Sequence, residues 1–157
     1  MSFDLHFFAL PVPFEPSPLS EQAAAKLGAL VKRYGGPDAP DEHGFFFDMP
    51  NGAGHIEFYA GKTEGGMLAL RGVSDPHLSF AWDVMREMCW AILVHVHEEK
   101  QVLLTSAPAD DLGMLAEMDI ETIVVVAEGP GDLEKVISEP FESWASWRDQ
   151  VVAGKSH

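Results

Sequence analysis

Three short apolar runs, Phe45 to Met49, His55 to Ala60 and Met67 to Val73, are separated by two clusters of turn formers, Pro50-Asn51-Gly52-Ala53-Gly54 and Gly61-Lys62-Thr63-Glu64-Gly65-Gly66. This pattern constrains the fold more than anything else in the chain. Each run is shorter than a stable helix but matches the usual length of a strand, and each break is long enough for one strand to turn back along the last. The segment therefore predicts an antiparallel meander. A meander must bury one face, and the sequence on either side supplies the cover.

Upstream, Phe3-Asp4-Leu5-His6-Phe7-Phe8-Ala9-Leu10 reads as a strand stopped by Pro11, Pro13 and Pro16. A helix follows from Leu19 or Ser20 to Tyr34, with Ala23, Leu27, Leu30, Val31 and Tyr34 on one face and Gly35-Gly36-Pro37 ending it. Downstream, Asp75-Pro76 reads as a cap and first turn, and Leu78, Trp82, Met85, Cys89 and Ile92 recur at helical spacing. No Gly or Pro separates this helix from the β-branched run Ile92 to His97, so the switch to a strand is placed near Ala91. Val102 to Thr105 and Glu121 to Ala127 read as further strands, Pro108 to Met118 as a short helix opened by Asp110-Asp111, and Gly129-Pro130-Gly131 as a turn and helix cap. Ser138 to Val152 reads as a last helix, with Phe141, Trp144, Trp147 or Arg148, and Val151 near one side. Strands and helices without regular alternation predict an α+β fold, a mostly antiparallel sheet packed on two or three amphipathic helices, in a single domain spanning residues 1–157.

Composition narrows the class. With 46% apolar residues in 157, the chain can build a core. One cysteine, Cys89, excludes an internal disulfide. It falls on the apolar face of its helix with Trp82, Met85 and Ile92, which predicts a buried, inert thiol. No Lys/Arg-rich start with an uninterrupted apolar segment is present to mark a secretory signal, and the longest apolar stretch, Cys89 to Val94, is far too short to span a bilayer. The expected location is the cytoplasm.

Charge points to a class of partner. Twenty-five acids against ten Lys and Arg give a formal net charge of -15, which excludes nucleic acid and anionic membrane surfaces as electrostatic partners. Residues 1–78 hold ten acids and five bases, whereas residues 79–157 hold fifteen acids and five bases. Most of the excess lies between Glu98 and Glu142, including Glu98, Glu99, Asp110, Asp111, Glu117 and Asp119, with only Lys100 and Lys135 opposing it. A surface of that sign raises the encounter rate with a basic protein. Those six acids are the expected partner-binding residues.

The strongest chemical pattern is His95-Val96-His97-Glu98-Glu99. Residues two apart on a strand face the same way, so His95 and His97 could share a divalent metal, with His55 or Glu98 completing the set. On that reading the chain is a metal-dependent or small-molecule enzyme. Two ligands do not close a metal site, however, and neither a nucleophile elbow nor a phosphate-binding loop occurs in the sequence. The leading expectation is therefore a non-enzymatic acidic protein without a cofactor that binds another, basic protein. A third reading is a self-associating module, a homodimer paired through an edge strand or the Trp144 face.

The opening Met1-Ser2-Phe3-Asp4-Leu5-His6-Phe7-Phe8, with its proline-rich break and alanine-rich helix, resembles small bacterial cytosolic proteins that begin Met-Ser-Tyr-Asp-Leu. The Asp75-Pro76 helix leading into Ile92-Leu93-Val94 is similar to theirs as well. Phe3 stands where they carry tyrosine. Some of these proteins look like immunity proteins of contact-dependent toxin systems. The resemblance implies a toxin as the basic partner and supplies no catalytic residues.

Overall fold

The computed structural model describes residues 3–70, 74–97 and 100–138. In chain order it contains β1 (Phe3–Ala9), α1 (Glu21–Arg33), β2 (Phe45–Met49), β3 (Gly54–Ala60), β4 (Gly66–Leu70), α2 (Asp75–Met88), β5 (Trp90–His97), β6 (Lys100–Thr105), β7 (Glu121–Val126) and α3 (Pro130–Ser138). The strands form one sheet in the order β2-β3-β4-β1-β5-β6-β7. Every neighbouring pair is antiparallel except β6 and β7. The α+β architecture and the β2-β3-β4 meander are as the sequence predicts. The expected helix over Ser138 to Val152, with Trp144 and Trp147, lies outside the described residues.

Alternation along the strands divides the sheet into two faces. Leu5 and Phe7, Phe45 and Phe47, Ile56 and Phe58, Leu68 and Leu70, Ile92 and Val94, Val102 and Leu104, and Ile123 and Val125 all point to one side. There they meet Leu27, Leu30 and Val31 of α1, Leu78, Phe80, Val84 and Met85 of α2, and Leu133 and Val136 of α3. All three helices thus cover the same face. Phe58 sits near the centre, its ring edge-on to Phe7 at 5.6 Å and to Phe80 of α2 at 5.5 Å. Such pairs add stabilisation beyond the area they bury.

The caps explain where the helices begin and stop. Ser20 accepts a hydrogen bond from the Ala23 amide at 3.1 Å, which satisfies one of the free donors in the first turn of α1. The cap of α2 is Ser74, one residue earlier than expected, with Asp75 in the first turn. This helix ends at Met88 because Cys89 takes a left-handed conformation, φ 56° and ψ 38°, and its amide bonds back to the Met85 carbonyl. The reversal corrects the sequence reading of Cys89. Its side chain leaves the apolar stripe and is exposed, while Ile92 faces the core from β5.

The connection from β6 to β7, residues 106–120, runs over the face opposite the helices. Leu115 packs there on Ala91, Leu93 and Leu103, with Val12 from the segment after β1. A parallel bridge joins Val12 to Gly113, and the Met114 amide donates to the Val12 carbonyl at 2.8 Å. The helix expected over Pro108 to Met118 is reduced to a 3-10 turn, Met114–Glu117. Asp111 accepts from the Gly113 amide at 2.9 Å, and this local turn takes the place of helical pairing.

Candidate functional site

The crossover covers only part of that second face. One register row crosses six strands through Tyr59, Met67, His6, Leu93, Leu103 and Val124. Leu93 and Leu103 are 6% and 0% exposed beneath the crossover, whereas Tyr59 is 42% exposed and Met67 and His6 are half-buried. The boundary therefore runs along β1, whose Phe8 still packs against the crossover cluster. On its open side a second row runs Phe46, Glu57, Ala69 and Asp4, and the β2-β3 hairpin adds Asp48 opposite His55. The Phe46 ring meets Tyr59 edge-on at 5.1 Å. An aromatic and methionine centre with acids around it thus lies on a half-sheet that the helices and the crossover, among the described residues, do not cover.

Charge is sorted between the two sides. On the crossover, Asp110, Asp111, Glu117 and Asp119 are all exposed. They share the sheet side with Asp4, Asp48 and Glu57. Of the seven Lys and Arg among the described residues, Lys26, Lys32, Arg33, Arg86 and Lys135 are on the helices. Lys62 lies in the β3-β4 turn, and Lys100 alternates with Val102 and Leu104 toward the helical side. Among the described residues, no Lys or Arg arises from the outward positions of β1 to β4 or from the crossover. Farther along the acidic run, Asp132 and Glu134 go with α3 to the helical side, and Asp132 accepts from the Glu128 amide at 2.7 Å as a local cap. Glu98 and Glu99 lie outside the described residues, as do Glu139 and Glu142.

Among the described residues, three histidines share this face without converging. His6, His55 and His95 occupy outward positions on β1, β3 and β5, but β4 separates β1 from β3. His55 Nδ1 pairs with Asp48 Oδ1 at 2.8 Å, and His97 follows His95 across a register shift at the end of β5. Among the described residues, no three His, Cys, Asp or Glu side chains are grouped so as to hold a metal ion. His77 sits apart on α2. Its Nδ1 meets the Ser74 hydroxyl at 2.6 Å and its Nε2 the His55 carbonyl at 2.8 Å, which ties the first turn of α2 to β3.

Two cavities flank Cys89. One, of about 330 Å³, is lined by Ser20, Lys26, Glu64, Glu87 and Met88, and the other, of about 260 Å³, by Leu10, Trp90, Thr105 and Pro108. The charged groups of the first already hold the fold together. Glu64 accepts from the Trp90 indole at 2.8 Å, Lys26 donates to the Glu87 carbonyl at 3.2 Å, and Glu87 pairs with Arg33. The hydrogen bond to Glu87 holds the Arg33 guanidinium above its usual pKa. Beside them Tyr34 donates to Asp83, and burial, reinforced by that bond, pushes its phenol well above the ordinary tyrosine value. This cluster joins α1 to α2.

Sequence reasoning singled out the crossover acids and passed over the outward aromatics of β2 and β3. The available signal was Phe45-Phe46-Phe47, since a strand with one buried face has no need of an aromatic at its outward position. Tyr59, alternating with Ile56 and Phe58 on β3, gives the same signal. Comparison of the chain with protein-family models, curated proteins and solved structures finds no match.

Proposed function

We propose that this chain is a non-enzymatic binding protein whose partner is a basic protein met by the crossover side of the sheet. The carrying observation is the separation of charge: Asp110, Asp111, Glu117 and Asp119 lie exposed on a side where, among the described residues, the crossover and the outward positions of β1 to β4 bring no Lys or Arg, while five of the described Lys and Arg are on the helices. Such a field steers a cationic surface to one side of the molecule and orients it on arrival. The opening resembles small bacterial proteins, some of which look like immunity proteins, and on that resemblance a basic toxin is one class of partner.

Carbodiimide coupling in the source cell extract tests the reading, because it joins carboxylates to lysines across an interface. The expected product is a conjugate to a protein of basic pI, linked through Asp110, Asp111, Glu117 or Asp119 and lost at high salt. Conjugates formed only through helix acids such as Glu21 or Glu134, or to acidic proteins, would overturn it.

A further inference from the structure

We infer that the cavity of about 260 Å³ lined by Leu10, Trp90 and Thr105 is a binding site for a small uncharged molecule, an apolar body the size of an aromatic ring that bears one hydroxyl or carbonyl oxygen. The inference is independent of the basic-partner reading, since it uses neither the crossover acids nor the open sheet face.

The carrying observation is the Thr105 hydroxyl. Thr105 is 1% exposed, and among the described residues its Oγ1 has no hydrogen-bond partner. A buried hydroxyl left unpaired is destabilising, so its retention calls for a reason. Valine has a similar shape, suits a strand equally well and would carry no such cost, and the residues before it in β6, Val102-Leu103-Leu104, are all apolar. Backbone pairing gives no reason, because the Thr105 carbonyl accepts from the Ala127 amide at 2.8 Å, a bond that any side chain would allow. Alternation along β6 turns Val102 and Leu104 toward the helices and directs Leu103 and Thr105 to the opposite side. Leu10, from the segment after β1, and Pro108, near the start of the crossover, line the cavity with Thr105 on that side.

The walls set the class of ligand. Buried Trp90 and half-buried Leu10 give the cavity an apolar floor, while Cys89, Ala107 and Pro108 are exposed at its rim. A charged ligand would lose its hydration against such walls, whereas an apolar body gains by burial and a single oxygen can meet the Thr105 hydroxyl. Apolar walls with a few placed polar groups are the usual make-up of small-molecule sites. A cavity of about 150 Å³ is enough for benzene, so one of about 260 Å³ has room for a ring with a short polar arm. The left-handed turn at Cys89 sets its thiol at the mouth of this site instead of in the helix stripe.

Benzyl alcohol is the probe, with toluene, which lacks the oxygen, and benzoate, which carries a charge, as its controls. Titration of the labelled full chain, followed by NMR, is expected to shift the amides of Leu10, Cys89, Thr105 and Ser106 and the indole N–H of Trp90 with benzyl alcohol. Toluene should shift the same set, and benzoate should not. Because Cys89 is the sole cysteine, its rate of alkylation by iodoacetamide reads occupancy independently and should fall as benzyl alcohol fills the cavity. Thr105→Val should weaken benzyl alcohol about fivefold, the scale of one net hydrogen bond, and leave toluene binding unchanged. The same variant should melt at a higher temperature than wild type, since the unpaired hydroxyl is gone. Thr105→Ser, which keeps the hydroxyl, should retain the preference for benzyl alcohol over toluene. Equal affinity of wild type and Thr105→Val for benzyl alcohol overturns the proposal. A lower melting temperature of Thr105→Val also overturns it, by identifying water as the partner of the hydroxyl in the fold. So does benzoate binding as tightly as benzyl alcohol, or the absence of shifts at these residues up to the solubility limit of each probe.

Discussion

Gly113 is where the crossover is pinned to the segment after β1, and replacing it with alanine tests how firmly. Its backbone lies at φ 62° and ψ -132°, a region that an L residue occupies at a cost of about 1–3 kcal/mol. A Cβ there would also stand 2.2 Å from the Val12 carbonyl oxygen and 2.5 Å from the Val12 nitrogen. Both contacts are with backbone, so neither can be relieved by rotating a side chain. The bridge must open, and the Met114 to Val12 hydrogen bond, worth about 1 kcal/mol net, goes with it. We expect Gly113→Ala to cost about 3 kcal/mol in urea unfolding, a large effect for a single substitution. Gly52 supplies the control, because it too has a positive φ, 69°, yet a Cβ there would meet nothing within 4 Å. Gly52→Ala should cost only about 1 kcal/mol. Hydrogen exchange gives a second readout: amides of Leu93 and Leu103, beneath the crossover, should lose more protection in Gly113→Ala than those of Phe58 and Leu68, beneath the helices. If the two glycine variants agree within about 0.5 kcal/mol, the crossover is not held at Val12 and the reasoning fails.

Three further outcomes follow from local contacts. Tyr34→Phe should cost about 1 kcal/mol at neutral pH through loss of the bond to Asp83. Because the folded-state pKa of Tyr34 is raised, its contribution is present below the ordinary tyrosine value of about 10 and is lost as pH rises through the folded value, so urea midpoints of Tyr34→Phe should fall less steeply in alkali than those of wild type. Glu64→Ala should cost about 1–3 kcal/mol in urea unfolding, since it leaves the indole N–H of the fully buried Trp90 without its acceptor, whereas Glu64→Gln should cost less. Cys89→Gly should raise stability by about 1 kcal/mol by relieving a left-handed non-glycine residue, and native Cys89 should react with iodoacetamide without denaturant.

The elements most legible in the sequence were those whose signal is local. Ser20 and the glycines after Tyr34 bounded α1 because caps and breakers act within a few residues, and the turn clusters around β3 fixed the meander for the same reason. The end of α2 was less legible. Cys89 has the character of the helix stripe, and only the packing of Trp90 into the core makes the chain reverse there. Pairing of β1 with both β4 and β5 was not readable, since nothing in Phe3 to Leu10 names its neighbours. That same pairing decides whether His6 and His55 are adjacent, so the dispersal of the histidines waited on it. The crossover acids were legible as composition. Their placement on one side of the sheet depended on Leu115 packing on Leu93 and Leu103 and not on the acids themselves.

The central position of β1 sets the order in which this sheet can be assembled. Its register partners Leu70 and Leu93 lie some sixty to ninety residues farther along the chain than Phe3 and His6. At a synthesis rate of about 5–20 residues per second, the first of those partners emerges several seconds after β1. Through that interval Leu5, Phe7 and Phe8 have no native strand beside them, and the stretch from Leu5 to Leu10, which follows the single charge of Asp4, has the apolar character that promotes intermolecular pairing. The two hairpin systems on either side can form early from local contacts, but they become one sheet only when β1 is inserted between them. Slow joining in the middle, with both flanks already in place, is thus built into the strand order, and the first strand synthesised is among the last to be satisfied.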